Sequence, residues 1–119
     1  MKSYETIQYK GKQILTLNLM EITAEERIAF YQGVHKEIEQ NPPKSVLILT
    51  DASNIRFTVE SAAALKEFAT KNTPYVKASA VVGTEGLKEV IRIAIERATL
   101  RDIKPFTSRQ EALDWLVEQ

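Results

Sequence analysis

The sequence predicts a single α/β domain in which a mainly parallel sheet begins with an antiparallel hairpin and is flanked by four helices. Three observations carry this prediction. The 119 residues are the length of one domain. Strand-like and helix-like segments alternate in the order β-β-α-β-α-β-α-β-α, which calls for parallel strands joined by right-handed crossovers. Ser45 to Thr50 form a continuous apolar run, as expected of a strand covered on both faces. No linker or internal repeat divides residues 1–119.

The chain begins with a predicted hairpin. Tyr4–Tyr9 and Gln13–Leu19 carry strand-forming residues in rough alternation. Lys10-Gly11-Lys12 between them supplies a short turn, with a glycine available for positive φ.

A first helix is predicted to start at Thr23. Thr23 and Glu26 have capping-box spacing, in which the threonine hydroxyl accepts from the Glu26 amide and the glutamate reaches back. Asn41-Pro42-Pro43 ends the helix, because proline neither donates to nor continues one. Helical periodicity assigns these residues to the core face: Ala24, Ile28, Tyr31, Val34, His35 and Ile38.

The second half of the chain alternates three helices with two strands. Thr58 is placed to cap the second helix and Ser108 to open the fourth through a capping box with Glu111. The predicted inward residues are Ala62, Leu65, Phe68 and Ala69 in the second helix, Leu87, Val90, Ile91, Ala94, Ile95 and Ala98 in the third, and Ala112, Leu113 and Leu116 in the fourth; the strands are Val76–Val82 and Ile103–Phe106.

Composition excludes several classes of function. Sixteen basic and sixteen acidic residues give zero formal charge, so no net field attracts nucleic acid. The absence of cysteine excludes thiol catalysis, disulfides and cysteine-based metal sites. No apolar stretch has the length of a signal peptide core or of a membrane span. We therefore expect a cytoplasmic protein with no integral membrane segment and no nucleic-acid partner.

A binding site is expected in the loops that follow the central strands. Ligands and partners of such sheets engage the carboxyl ends of the strands, beside the amino ends of the following helices. Two loops qualify, 51–58 with its continuation to Ser61, and 83–86. The same residues also suit turn bonds and helix caps, and on residue chemistry alone both interpretations stand. The candidate residues are Asp51, Ser53, Asn54, Arg56, Thr58, Glu60, Ser61, Gly83, Thr84 and Glu85.

The sequence contains no recognisable catalytic, metal or cofactor motif. The spacing of Gly83 and Gly86 matches neither phosphate-binding glycine fingerprint. His35 is the only histidine, and its position roughly 18 Å along the first helix separates it from Asp51 and Ser53. A half-buried structural role is therefore predicted for it. We expect no catalytic residues, no metal and no cofactor.

Two apolar residues fall outside the core pattern. Phe30 and Ile93 each lie away from the predicted core face of their helix. If they meet, they mark an interface or the mouth of an apolar pocket. The alternative is that the hairpin or a thicker core covers them.

Several stretches together resemble one known family. They are SVLILTDAS, FTVESAAALKEFA, KASAVVG and the ending PFTSRQEALDWL, which accompany the hairpin and the first helix. With them the chain resembles the STAS domain of anti-sigma-factor antagonists, in particular its small stand-alone SpoIIAA-like branch. The resemblance implies a bacterial protein with the SpoIIAA-like fold.

The resemblance also bears on regulation. In regulatory STAS domains a serine at the start of the second helix is phosphorylated by a partner kinase. Aligning Phe57 with the phenylalanine before that motif places Glu60 at the phosphoacceptor serine and Ser61 at the serine that follows it. In this alignment the usual switch residue is missing, and Glu60 supplies a permanent negative charge there. Ser61, one register step away, is the nearby hydroxyl at which phosphorylation stays an open alternative.

Two functions remain open at this point. The first is a non-enzymatic STAS-like module that binds a protein partner through 51–61. The second, implied by the similarity of this fold to Sec14-type lipid carriers, is an apolar small-molecule or lipid binder. The second requires an apolar pocket of several hundred Å³. The sequence also leaves both a monomer and a homodimer open, because the hairpin supplies a sheet edge for pairing.

Overall fold

Five strands form one mixed sheet in a computed structural model, which describes residues 4–19, 22–23, 25–53, 55, 59–83, 93, 96–97 and 103–119. The strands lie in chain order across the sheet; β1 is antiparallel to β2, and the other neighbours are parallel. This confirms the predicted α/β class and the amino-terminal hairpin. The strands are β1 (Tyr4–Tyr9), β2 (Lys12–Asn18), β3 (Val46–Asp51), β4 (Val76–Val82) and β5 (Ile103–Phe106).

Three helices accompany the strands in the described part of the chain: α1 (Arg27–Ile38), α2 (Val59–Asn72) and α3 (Arg109–Val117). The sequence predicted four. The additional helix was predicted between positions 87 and 98, and nearly all of that segment lies outside the described residues. Within it, Ile93, Glu96 and Arg97 are described, and each is helical.

The hairpin turn needs two residues with positive φ. Lys10 and Gly11 connect the paired Tyr9 and Lys12, with φ of 48° and 84°. Two successive positive values are typical of a type I′ turn, whose twist matches that of the flanking strands. The predicted turn is confirmed, although β2 begins at Lys12 rather than at Gln13.

The sheet separates two apolar layers. Alternate residues of the central strands point to opposite faces, so Val46 and Ile48 pack towards α1 and α2, whereas Leu47 and Leu49 pack towards α3. The first four residues of β3 are all buried. The prediction of a strand covered on both faces is therefore confirmed.

The start of α1 differs from its prediction. The helix begins at Arg27, four residues after Thr23. The carboxylate of Glu26 does reach back, accepting from the Thr23 amide at 3.1 Å and from its hydroxyl at 2.9 Å. The Glu26 amide does not follow the predicted cap bond to this hydroxyl, since it donates to the Thr23 carbonyl oxygen at 3.1 Å. These bonds to Thr23 lower the pKa of Glu26.

The core face of α1 is also rotated from the predicted one. Ile28, assigned to the core, is 58% exposed, and the neighbouring Arg27 is only 7% exposed. The buried residues Arg27, Tyr31, Val34 and Ile38 follow the helical repeat. Ile28 therefore lies about 100° from this face. The predicted core residue Ala24 lies outside the described residues.

The amino end of α3 follows its prediction. Ser108 precedes the helix in an extended conformation, and its hydroxyl accepts from the Glu111 amide at 3.2 Å. The serine cap therefore marks the start of α3 shortly after β5, and the Ser108 hydroxyl also donates to the Glu111 carboxylate at 3.2 Å.

Candidate functional site

The loops that follow β3 and β4 meet at the carboxyl edge of the sheet. The Ala52 amide donates to the Val82 carbonyl oxygen at 2.9 Å. Gly83 has a φ of +75°, and a Cβ at this position would overlap the backbone of Ser53. Only glycine therefore permits this close approach in the observed backbone conformation. The structure brings together three of the candidate residues, Asp51, Ser53 and Gly83.

Asp51 shapes the first of these loops. Its Oδ1 accepts from the Ser53 amide at 3.0 Å, which is the turn bond expected of an aspartate two residues earlier. Ala52 and Ile55 are buried, and the Ile55 amide donates to the Ala52 carbonyl oxygen at 3.3 Å. The loop is thus anchored by its own apolar residues and by internal hydrogen bonds.

The first turn of α2 presents an apolar and an acidic side chain to solvent. Val59 is 88% exposed and Glu60 is also exposed. Ser61, one position further on, is half-buried and has an interaction of its own. Both side chains are therefore accessible to another macromolecule, although a single exposed apolar residue is ordinary on a protein surface.

Other predicted site residues fall outside the described part of the chain. They are Asn54, Arg56, Thr58, Thr84 and Glu85. Their assignment to the site, and the choice between binding and capping for the two threonines, stays a prediction.

The two residues of the predicted apolar patch have different surroundings. Phe30 is half-buried, and its ring lies 5.8 Å from that of Tyr4 in an edge-to-face arrangement. The hairpin therefore covers Phe30, in line with the alternative considered for it. Ile93 is 37% exposed.

His35 links the ends of two helices. Its Nδ1 lies 2.6 Å from Oδ1 of Asn72 at the end of α2, and its Nε2 lies 3.5 Å from the Glu39 carboxylate. Asn72 is only 1% exposed. Since α1 runs back from the carboxyl edge of the sheet, this half-buried histidine lies near the opposite edge, away from Asp51 and Ser53.

A buried polar pair on α1 was not anticipated from the sequence. Arg27 and Tyr31 lie one turn apart, and burial raises the pKa of Tyr31 to about 12 while the Arg27 charge opposes the rise. The Tyr31 ring stacks on Phe68 of α2 with centroids 4.7 Å apart. The i, i+4 spacing was visible in the sequence, but arginine is rarely buried, and Arg27 was not among the predicted core residues.

Two surface depressions are found among the described residues. One, of about 110 Å³, lies between α1 and α2 and is lined by Ile28, Tyr31 and Phe68 among others. The other, of about 160 Å³, lies beside the hairpin and is mainly polar. Neither reaches the several hundred Å³ that an apolar carrier requires.

The described residues contain no group of three or more side chains arranged to hold a metal ion. None of the described helices combines the length and the apolar character needed to span a membrane.

The hairpin, the mixed sheet and the interlocked loops at its carboxyl edge define a STAS-type domain, and comparisons with known proteins agree. The SpoIIAA-like family model matches residues 15–117, so the chain belongs to the SpoIIAA-like family. A crystal structure of an uncharacterised protein with a SpoIIAA-like fold from Shewanella loihica PV-4 superimposes with a TM-score of 0.63. The two chains are 18% identical over 95% of this chain and 91% of that one. No curated protein matches the chain by sequence.

Proposed function

We propose that this chain is a non-enzymatic STAS-type interaction module that binds a protein partner through residues 51–61. The exposure of Val59 and Glu60 on the first turn of α2 carries the proposal. These side chains stand beside a loop that the Asp51 turn bond and the contact with Gly83 hold in place. A preorganised surface loses little conformational entropy on binding. Proteins of this family are generally interaction modules without catalytic activity.

The arrangement of polar groups supports a role without catalysis. A histidine base would have to reach a nucleophile at the carboxyl edge of the sheet. His35 instead contacts Asn72 and Glu39 near the opposite edge. Asp51, the carboxylate in the candidate loop, accepts from the Ser53 amide and serves the turn.

The proposed module binds its partner without the usual phosphate switch. Glu60 stands where the family resemblance places the phosphoacceptor serine. A carboxylate in the first turn of a helix carries its charge permanently and interacts favourably with the helix dipole. We infer that phosphorylation at position 60 does not regulate partner binding.

Replacing the exposed pair tests the proposal. Val59→Asp and Glu60→Lys should each lower the yield of specific partners by about tenfold, since loss of an interface anchor costs roughly 1.4 kcal/mol. The measurement is quantitative mass spectrometry of proteins captured from lysate on the immobilised chain. Glu118→Lys, an exposed charge reversal in the residue after α3, is the matched control. Equal capture by all four proteins would refute the role of 51–61.

The second candidate is an apolar small-molecule or lipid binder, for which the groove between α1 and α2 supplies apolar walls but, at about 110 Å³, not the required volume. Those walls include Ile28 and the stacked rings of Tyr31 and Phe68. Native mass spectrometry of freshly purified protein, followed by denaturation and analysis of released compounds, decides between the candidates. A stoichiometric apolar compound would establish the carrier, whereas a protein mass without adduct would favour the interaction module.

A further inference from the structure

The two edges of the sheet differ in their readiness to accept another strand. β5 has only four residues, and one of them is Pro105, which has no N–H. Short strands and proline are features that block edge pairing. β1 has six residues and no proline, and no described strand pairs with its outer side. β1 is therefore the edge that remains open.

The register of the hairpin determines which backbone groups of β1 point outward. The two-residue turn places the Tyr9 carbonyl and the Lys12 amide opposite each other. Hydrogen-bonded pairs alternate along an antiparallel ladder, so the odd-numbered residues of β1 bond to β2. The bond of 3.1 Å from the Thr16 hydroxyl to the Glu5 carbonyl oxygen agrees with this assignment. The residues with outward N–H and C=O groups are Tyr4, Thr6 and Gln8.

The polar depression of about 160 Å³ adjoins this edge on the α1 face of the sheet. Thr6 contributes its wall on the β1 side, and Gln13 is the polar contribution of β2. Glu37 and Asn41 enter from the end of α1, and Ser45 from the start of β3. A side chain from a strand added to β1 would enter this depression by passing over Thr6.

The electrostatics of the depression favour a cation. Of the described residues that line it, only Glu37 carries a charge, and its Oε1 accepts from the Tyr4 hydroxyl at 3.1 Å. The negative end of the α1 dipole lies beside it, next to Lys36 in the last turn of the helix. The side-chain nitrogen of Asn41 donates to the Glu37 and Ile38 carbonyl oxygens, both at 3.1 Å, which leaves its side-chain oxygen as an acceptor. Lys12 and Lys44 donate to carbonyl oxygens elsewhere, at 3.4 and 3.1 Å.

We propose that β1 accepts an extended segment of a partner protein as an additional strand, and that a lysine or arginine of this segment binds Glu37. Adjacent strands lie about 4.8 Å apart, a distance that these long side chains cross. Main-chain bonds to the outward groups of β1 would supply affinity, and the depression would supply specificity. This surface is separate from residues 51–61 and does not depend on their proposed role.

A second copy of the chain fits this surface less well. Antiparallel pairing of two β1 strands keeps the faces of the sheet continuous, so only even-numbered residues of the second copy reach the α1 face. Those residues are Tyr4, Thr6 and Gln8, none of which is cationic. The charge of Glu37 would then face no counter-charge.

Fluorescence anisotropy with three labelled seven-residue peptides tests the inference. Each peptide alternates threonine and valine and carries arginine, norleucine or glutamate at its centre. We expect the arginine peptide to bind about tenfold more tightly than the glutamate peptide, since opposite and like charges at one site differ by more than 1.4 kcal/mol. Glu37→Gln should remove most of this preference. Thr6→Pro should weaken all peptides, because it removes an outward N–H and leaves the ladder to β2 in place.

Glu5→Gln is the matched control. It neutralises a carboxylate on β1 itself whose side chain lies on the α3 face of the sheet, and it should leave the preference unchanged. Circular dichroism verifies the fold of each variant. Equal affinity for all three peptides, or no binding of any, would overturn the inference. A dimer with twice the 13.5 kDa mass of the chain would also overturn it if Thr6→Pro abolished that dimer, because a second copy would then occupy the edge.

Discussion

Gly11 and Gly83 both have positive φ, but only at Gly83 does the surrounding structure also leave no room for a Cβ. Gly83→Ala places a methyl group against the Ser53 backbone, whereas Gly11→Ala meets no atom within 4 Å. A non-glycine residue in this region costs about 1–2 kcal/mol in either place. We expect Gly83→Ala to lower the free energy of unfolding by about 1–3 kcal/mol more than Gly11→Ala, from overpacking. Urea denaturation measures the free energy of unfolding of both variants. Equal losses would show that the loops that follow β3 and β4 separate readily.

At the level of single residues, the sequence predicted the role of a residue, such as a helix cap, better than it predicted the atoms that the residue bonds. The Ser108 cap was predicted correctly, since the Glu111 amide donates to the serine hydroxyl. At Thr23 the same spacing produced a different bond, because the Glu26 amide donates to the Thr23 carbonyl oxygen instead. The contact between Ser53 and Gly83 joins two loops that are distant in sequence, and no local pattern reports it.

The contact between the hairpin and α3 has a defined dependence on pH. Hydrogen bonds from Tyr9, Lys10 and Gln110 lower the pKa of Asp114 below its ordinary 3.8. A carboxyl group with a lowered folded-state pKa stabilises the fold above the ordinary value, and this contribution disappears as the pH falls through the folded-state pKa. Asp114→Asn should therefore reduce the loss of stability on acidification below about pH 4.

Urea midpoints measured at a series of acidic pH values test this expectation. Glu25→Gln, an exposed glutamate ahead of α1 with no such bonds among the described contacts, is the control and should retain the wild-type slope. An identical acid slope in Asp114→Asn would mean that the contact forms equally well with the protonated carboxyl group. Glu26, whose pKa is also lowered, contributes to the slope in the same direction.

At the level of elements, the strands were more predictable than the helix faces. β3 was identifiable because six consecutive residues suit burial on both faces, and that requirement holds whatever packs against them. The face of α1 depends on two particular neighbours. Tyr4 covers the Phe30 side and Phe68 stacks on Tyr31, so the helix settles with Ile28 outward. These contacts arise only after distant elements have come together.

For the whole molecule, the topology was predictable from the order of the elements. Chain-ordered strands place β1 and β5 at the two edges, and helices α1 and α2 on one face of the sheet. The two surfaces that we propose for partners are residues 51–61 at the carboxyl edge and β1 at the side. The sequence drew attention to the first through its loops. It gave no sign of the depression beside β1, because the residues that line it come from four separate elements, β1, β2, α1 and β3.

The hydrogen bond of 2.6 Å between Tyr9 and Asp114 joins residues 105 positions apart. During synthesis a chain leaves the ribosome from its amino terminus at about 5–20 residues per second. At this rate the hairpin emerges within about 1–4 seconds, yet its tip stays unattached for about 5–20 seconds more, until α3 appears. A nascent chain released before that point presents the tip of its hairpin and the α3 face of its sheet uncovered, which is the kind of surface that chaperones and proteases recognise.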